Sequence, residues 1–454
     1  MSQLNCRVGQ MNISSALKTI DATRIDTGKK SLIHDKPEGN DAKITLVRAL
    51  GSRVWDDTGK EYLDFTSQAW SNSLGANDPR VVDAAIAQLR EITHARPNFN
   101  TFALLELTAK LRELTPGDLN RIGYCLHGSL AVEMAIKLAF KNKPGAQKLI
   151  VLQDAYHGRS VTTMAASWPH PNNPFYAISP HCFHRVPHPD PYRPRLGMDI
   201  ETETKLCLLL LEETIQRGVD GPVAAIMMEP IQGNGGHIML PKAWHVGVRE
   251  ICDRHGILLI WDEIQSCFGR TGAMFAADYY GVLPDIMTFG KGVGGGFPLA
   301  GIFASDKLTG FDTGEDALTF GQFPVAMAAA VATVDAIISD NLCENARNLG
   351  DFATQRLVDM AQRRKLIGDI RGPGLFVSFE MVKDRVTKEP ATKAAAEVYT
   401  RGVEKGILFG ESRYAGLGNL IKLKPPLDCS HQDMAYALDV LDDILGSIEA
   451  DGIA

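Results

Sequence analysis

Hydrophobic and polar positions change their period along this chain, and each pattern predicts a different kind of element. From Ile44 to Phe65 apolar and polar residues alternate around an Asp-Asp-Thr-Gly turn, which predicts a meander of short strands. Between Val81 and Leu114 apolar residues recur at helical spacing, which predicts two amphipathic helices. From Ile122 onward short apolar runs alternate with helical patterns. Such alternation predicts an α/β domain with a mostly parallel sheet covered by helices on both faces.

The pattern of hydrophobic and polar positions changes again beyond about Asn341. A hairpin pattern centred on Gly372-Pro373-Gly374, two helical patterns and a short strand predict a smaller α+β domain, packed with the N-terminal meander. We therefore predict an arm and meander over residues 1–75, a large domain over 76–335 and a small domain over 336–454. A stretch rich in Pro and His, from His170 to Gly197, is predicted to be a loop.

Composition narrows the classes of partner. The chain has 454 residues, a net charge of −7 and a pI near 6.0, which argue against nucleic acid as the main partner. The first residues lack the pattern of a signal peptide, and no apolar run approaches the length of about 18 residues that a membrane span needs. The eight cysteines include no CxxC pair. We therefore expect a cytoplasmic protein with reduced cysteines, no metal site and no membrane partner.

The candidate catalytic and binding residues lie at the ends of the predicted strands. Ligands of parallel sheets bind beyond the carboxyl ends of the strands. The polar residues at those ends are Ser129, Tyr156, His157, Glu229, Asp262 and Lys291.

Lys291 follows the apolar residues Ile286, Met287 and Phe289, and four of the five residues after it are glycine. Burial at a strand end disfavours the ammonium form and exposes an amine nucleophile, as a Schiff-base lysine requires. The alternative is a lysine that extends its charged end from a strand–loop junction into solvent.

The other strand-end residues complete a binding site for a flat, phosphorylated ring. Asp262 follows five apolar residues and would pair with a protonated pyridine nitrogen, although it could instead cap a helix or pair with Arg270. Gly128 and Ser129 precede a helix and offer backbone N–H groups to a phosphate. Tyr156 could stack on the ring or simply pack, and His157 could be structural. Pyridoxal phosphate accounts for the phosphate turn, the aromatic, the carboxylate and the amine together.

The same residues lie in motifs that resemble a known family over nearly the full chain. The matching stretches are YLDF (62–65), GSLAVEMAIKLA (128–139), DAYHGRS (154–160), MEPIQGNGG (228–236), WDEIQSCFGRTG (261–272), DIMTFGKGVGGGFPLAG (285–301) and TFGQFPVA (319–326). They resemble the class III pyridoxal-phosphate aminotransferases of fold type I. The resemblance implies a homodimer or homotetramer with shared active sites, acting on an amine or amino acid and a 2-oxo acid.

The resemblance also implies a role for each matching residue. Lys291 and Asp262 are similar to the Schiff-base lysine and to the partner of the pyridine nitrogen. The predicted cofactor contacts are Gly128, Ser129, Tyr156, His157, Glu229, Asp262, Gln265, Lys291 and Thr319. Gln265 resembles the residue near the phenolic oxygen of the ring. Thr319 resembles a threonine that reaches the phosphate bound by the neighbouring subunit.

Two departures from the family pattern concern the substrate. Asn234 stands where many members have a glutamate, and Lys422 stands where many have the arginine that holds the substrate's carboxylate. Lysine offers a point charge and no two-pronged fork, which makes an amine or ω-amino donor more plausible. SQAW around Trp70 resembles a sub-branch with aminocaprolactam racemase, a branched-chain amino acid epimerase and dialkylglycine decarboxylase. Trp70 is thus a candidate pocket residue, with a core tryptophan as the alternative.

We therefore predict a pyridoxal-phosphate-dependent aminotransferase that works through a Lys291 Schiff base. The alternative is a racemase or epimerase, which shares the first proton abstraction but returns the proton to the α-carbon, with a decarboxylase as a third possibility. From a different class, the fold could serve a non-catalytic binding protein. The presence of both Asp262 and Lys291 argues against that reading.

Overall fold

The computed structural model of the chain describes residues 44–168, 182–410 and 417–454, together with Thr27. The arm predicted at the N-terminus and part of the loop predicted from His170 to Gly197 lie outside these residues. Residues Leu46–Ala454 form one compact unit.

The strands are numbered in chain order. They are β1 Leu46–Leu50, β2 Arg53–Asp56, β3 Glu61–Phe65, β4 Arg121–Cys125, β5 Lys148–Leu152, β6 Phe183–Val186, β7 Val223–Met228, β8 Ile231–Gln232, β9 Ile238–Met239, β10 Leu258–Asp262, β11 Ile286–Phe289, β12 Ala300–Ala304, β13 Ile367–Arg371, β14 Ser378–Asp384, β15 Glu389–Pro390, β16 Ile407–Phe409 and β17 Leu420–Lys422.

The helices are numbered in the same way. They are α1 Pro79–Glu91, α2 Phe102–Leu114, α3 Gly128–Asn142, α4 Val161–Ala166, α5 Ile200–Glu213, α6 Lys242–His255, α7 Ala276–Tyr280, α8 Pro324–Ser339, α9 Leu342–Ala361, α10 Thr392–Glu404 and α11 His431–Ala450. Short helical turns of other types cover Ser67–Trp70, Arg195–Gly197, Thr214–Gly218 and Lys291–Gly294.

A seven-stranded sheet in the order β4-β12-β11-β10-β7-β5-β6 positions the candidate site. Within it β12 runs antiparallel to both of its neighbours, and the remaining pairs are parallel. The strands β5, β7, β10 and β11 therefore end at the same edge, where the sequence places Glu229, Asp262 and Lys291.

Helices cover both faces of this sheet, as the near-continuous apolar strands predict. Alternate residues of β10 enter two separate hydrophobic cores. Leu258 and Ile260 belong to the same core as the apolar residues of α3, whereas Leu259 and Trp261 belong to the core that includes residues of α1, α2 and α8. The mixed α/β architecture expected from the sequence is confirmed.

Smaller sheets join distant parts of the chain. The sheet β1-β2-β3-β16 combines the N-terminal meander with a strand from the C-terminal region, and β13, β14, β15 and β17 form another. The boundaries near residues 75 and 335 stay predictions.

The predicted loop from His170 to Gly197 contains the strand β6, and its prediction as loop throughout is wrong at that point. The residues Phe183–Val186 alternate too briefly to indicate a strand, and they become one by pairing with β5. Among the described residues no single helix is long and apolar enough to cross a membrane, and only the bent pair α8 and α9 passes that test jointly.

Candidate active site

Lys291 lies directly beyond β11, at the start of the turn Lys291–Gly294. Its backbone adopts a positive φ of 47°, which side-chain-bearing residues rarely do. Burial lowers the pKa of the Lys291 amine from its ordinary value, while the carboxylates of Asp262 and Glu229 oppose that shift. Burial therefore favours the uncharged, nucleophilic form of this amine, and the role of Lys291 as a Schiff-base lysine stays a prediction.

Lys291 faces a cavity of about 200 Å³ at the carboxyl edge of the sheet. The residues that line this cavity are His127, Gly128, Ser129, Tyr156, His157, Gly158, Asp262, Ile264, Gln265 and Lys291. They come from four strand ends that are far apart in sequence, and the sheet brings them together.

Asp262 is buried and held on both carboxylate oxygens. The distance from Oδ2 to Nδ1 of His157 is 2.8 Å. Oδ1 accepts hydrogen bonds from Oγ1 of Thr288 at 2.9 Å and from the backbone N–H of Ile264 at 3.2 Å. These partners fix the plane of the carboxylate in the cavity wall.

Arg270 does not pair with Asp262, so that alternative is wrong. The Arg270 guanidinium donates to the backbone carbonyl oxygens of Pro425 at 2.5 Å and of Leu375 at 3.4 Å. Burial lowers the pKa of Arg270 to about 9.

Helix α3 begins at Gly128, earlier than the sequence pattern predicts, and no side chain caps its N-terminus. Its first backbone N–H groups therefore remain available at the cavity that Gly128 and Ser129 line. A Cβ at Gly158 would lie 2.3 Å from Oγ of Ser129, so this glycine keeps the space beside the helix end open. The uncapped helix end and the open backbone beside it fit a phosphate group.

Glu229 lies behind two residues that line the cavity. Its carboxylate accepts hydrogen bonds from the backbone N–H of Tyr156 at 2.9 Å and from Nε2 of Gln265 at 3.3 Å. It also accepts one from the N–H of Gly233 at 3.0 Å. Burial raises the pKa of Glu229 to about 7. Glu229 therefore orients Tyr156 and Gln265, and it is not among the residues that line the described cavity.

Three further predicted site residues lie apart from the cavity lining described above. Trp70 is buried, with its ring centroid 4.8 Å from that of Phe376. Lys422 is buried in β17, its Nζ donates to the carbonyl of Gly233 at 3.1 Å, and burial lowers its pKa well below the ordinary value. Thr319 is exposed at the surface.

The sequence analysis missed Thr288, whose contact with Asp262 depends on the register between β10 and β11. It also missed His127, Gly158 and Ile264, which carry no chemical signal beyond their place beside the predicted residues. Among the described residues, no group of three or more His, Cys, Asp or Glu side chains could hold a metal ion.

Comparison with known proteins places this geometry in context. Residues 35–445 match the family Aminotransferase class-III. The chain is 34% identical to the acetylornithine aminotransferase of Methanopyrus kandleri, over 88% of this chain and 94% of that protein. It is 33% identical to the leucine/methionine racemase of Thermococcus litoralis, over 90% of this chain and 92% of that one.

Solved structures give the same answer for the fold. An (S)-enantioselective omega-transaminase from Thermomicrobium roseum superposes with a TM-score of 0.85 at 29% identity, covering 96% of this chain and all of that one. The omega-transaminase of Pseudomonas jessenii in complex with PMP superposes with a TM-score of 0.86 at 25% identity, over 94% and 99% of the two chains.

Proposed function

We propose a function on the premise that this chain belongs to the class III aminotransferase family, as the match over residues 35–445 shows. Its cofactor is pyridoxal phosphate, whose protonated ring accepts the electrons left behind when a proton leaves the α-carbon of the substrate. One observation carries the assignment: a single cavity is bounded by the amine of Lys291, the carboxylate of Asp262 and the uncapped end of α3.

Each residue then has a task that follows from its surroundings. The amine of Lys291 would hold the cofactor covalently and, when free, would take the α-proton of the substrate and deliver it to C4′. Asp262, fixed by His157 and Thr288, would accept a hydrogen bond from the protonated ring nitrogen. The helix end at Gly128 would bind the phosphate.

Two further residues would contact the cofactor ring, one at its face and one at its edge. Tyr156 would stack on the ring, and Gln265 would lie near the phenolic oxygen, since both line the cavity. Both are oriented from behind by the carboxylate of Glu229, which supports these assignments.

For the substrates, we propose an amine or ω-amino donor and a 2-oxo acid acceptor. Lys422 replaces the two-pronged arginine, its Nζ already donates to the carbonyl of Gly233, and burial disfavours its charged form. A carboxylate on the donor would thus find a weakened partner at this position. Trp70 would close the substrate side of the site.

A racemase or epimerase is the second candidate, because the leucine/methionine racemase of Thermococcus litoralis is similar over 90% of this chain. The two reactions share the abstraction of the α-proton by Lys291 and differ in where that proton is returned. A decarboxylase ranks third.

The first experiment is a visible absorption titration of the purified holoenzyme with single amines, without a 2-oxo acid. A transaminase should lose its cofactor band stoichiometrically with the true donor. A racemase should keep the band while solvent deuterium enters the α-carbon of the substrate. Absence of any band after addition of pyridoxal phosphate would overturn the proposal.

Lys291→Ala should abolish both the covalent attachment of the cofactor and turnover, because no other amine lines the cavity within the described residues. Borohydride reduction followed by peptide mass spectrometry measures the attachment. Lys307→Ala, at an exposed lysine, is the matched control and should keep both. Full activity of the Lys291→Ala enzyme would contradict the assignment.

We also propose that the enzyme is a homodimer, or a tetramer built from such dimers, in the cytoplasm. Exposed Thr319 adjoins Phe320, whose ring lies 4.7 Å from that of His94. The segment around His94 carries several exposed apolar side chains: Ile86, Leu89, Ile92, Phe99, Phe102 and Leu105. A second copy covering this surface would bring Thr319 toward a neighbouring phosphate.

A further inference from the structure

The segment Ser67–Trp70 has a backbone conformation that its sequence does not predict. Four consecutive residues other than glycine have positive φ angles, namely 45° at Ser67, 46° at Gln68, 61° at Ala69 and 72° at Trp70. L-residues enter the left-handed region singly, and several in a row persist only where surrounding contacts hold them. This left-handed turn therefore needs a specific restraint.

The carboxylate of Asp64 supplies that restraint. Oδ1 accepts hydrogen bonds from the backbone N–H of Thr66 at 2.8 Å and from its Oγ1 at 2.5 Å. Oδ2 accepts from Nε2 of Gln68 at 3.0 Å and from its backbone N–H at 3.3 Å. Asp64 is 3% exposed and lies in β3, so it ties the left-handed turn to a fixed strand.

The segment that follows Trp70 packs directly against the turn that carries Lys291. The backbone N–H of Gly296 donates to the carbonyl of Ser71 at 3.2 Å. A Cβ at Gly292 would lie 2.2 Å from Oγ of Ser73 and 3.6 Å from the carbonyl oxygen of Trp70. The two turns thus fit without space between them, and both contain non-glycine residues at positive φ.

We infer that Asp64 is a positioning residue for Lys291, acting through the left-handed turn. The inference rests on the proposed role of Lys291. When Asp64 holds the left-handed turn, Ser71 and Ser73 meet the glycines beside Lys291 in a single arrangement, which fixes the direction of the lysine side chain at the cavity. Asp64 itself is not among the residues that line the described cavity.

The test is the pH titration of the visible cofactor band in the holoenzyme, which reports the proton affinity of the Lys291 Schiff base. Asp64→Asn should shift its midpoint by about half a pH unit or more, a threefold change in proton affinity. Gln68→Met removes only the Nε2 contact and should give a smaller shift in the same direction. Asp64→Asn with Ala69→Gly should return toward the wild-type midpoint, because glycine adopts positive φ freely and Ala69 is exposed.

Asp56→Asn is the matched control. Asp56 also precedes a threonine by two residues, and its carboxylate accepts from the N–H and Oγ1 of Thr58, but it lies in the hairpin of β2 and β3. Its substitution should lower the melting temperature without moving the midpoint.

Three results would overturn the inference: unchanged midpoints in Asp64→Asn and Gln68→Met, an equal shift in Asp56→Asn, or no rescue by Ala69→Gly. If Asp64→Asn does not fold, Gln68→Met alone decides the question. Absence of the band in the wild-type protein would instead overturn the proposed function.

Discussion

At the scale of single residues, substitutions of Asp262 and of its partner Thr288 separate the effect of charge from the effect of position. Asp262→Asn keeps the shape but removes the charge that stabilises the protonated ring. We expect kcat to fall about 10- to 150-fold, since a charge-assisted bond contributes about 1.5–3 kcal/mol. Thr288→Val removes one hydrogen bond to Asp262 and should lower kcat only about fivefold. Steady-state kinetics at saturating cofactor measure both, and equal losses would contradict the assigned roles.

A second residue-scale prediction concerns Glu263, which is buried and accepts hydrogen bonds from the backbone N–H groups of Ala276 and Ala277 and from Oγ of Ser266. Burial raises the pKa of Glu263 to about 7 from an ordinary value of 4.5. Because the folded-state pKa is raised, the stabilisation that Glu263 gives is complete below pH 4.5 and is lost as pH rises to about 7.

The neutral variant Glu263→Gln lacks this titration. Relative to Glu263→Gln, the wild type should therefore lose about 3 kcal/mol of unfolding free energy as the pH rises from 4.5 to 7. The difference between the two proteins should stay constant above pH 7. Denaturant unfolding across this range measures the difference, and Glu250→Gln controls for the same change at an exposed site. Parallel wild-type and Glu263→Gln curves would contradict the prediction.

At the scale of elements, the N-terminus of α3 works only while the chain beside it stays free of side chains. Gly158 and Gly145 both have positive φ, so alanine strains the backbone at each by about 1 kcal/mol. A Cβ at Gly158 would also collide with Oγ of Ser129, whereas at Gly145 it would meet nothing within 4 Å.

We therefore expect Gly158→Ala to weaken pyridoxal phosphate binding by about tenfold or more, equivalent to 1.4 kcal/mol. Gly145→Ala should bind the cofactor normally and lose only thermal stability. Absorbance titration of the two apoenzymes with pyridoxal phosphate measures the affinities. Equal affinities would show that the opening beside Ser129 is not used for the phosphate.

The elements also show how far sequence reasoning reaches. A buried parallel strand such as Val223–Met228 could be predicted, because it is a continuous apolar run. The left-handed turn Ser67–Trp70 could not be predicted, because it contains no glycine, and the hydrogen bonds to the Asp64 carboxylate hold a conformation that backbone preference opposes by roughly 1–2 kcal/mol per residue.

The candidate site likewise contains features that the sequence predicts and features that it does not. Lys291 and Asp262 could be identified because a lone ionisable residue after an apolar run needs a chemical reason. The pairing of Asp262 with Thr288 depends on the register of β10 and β11, and that of Asp262 with His157 on the order of strands in the sheet. A strand that is apolar on both faces lacks the alternation that would fix its register, and strand order depends on the whole sheet.

At the scale of the whole molecule, the exposed apolar surface on α1 and α2 is where the proposed dimer would form. Phe102 is 93% exposed and lies between the exposed side chains of Phe99 and Leu105, an arrangement that stabilises a protein only when another surface covers it. Phe102→Glu places a charge at the centre of the proposed dimer contact, which association would have to desolvate.

We expect Phe102→Glu to convert the proposed dimer into monomers at micromolar concentration and to weaken cofactor binding, because Thr319 would no longer reach a neighbouring phosphate. Leu196→Glu is the matched control: Leu196 is 94% exposed in the separate turn Arg195–Gly197, and its variant should keep the wild-type mass and affinity. Light scattering coupled to gel filtration gives the mass, and absorbance titration gives the affinity. A Phe102→Glu monomer that binds pyridoxal phosphate as tightly as the wild type would show that the site is complete within one chain, whereas an unchanged dimer would move the contact elsewhere.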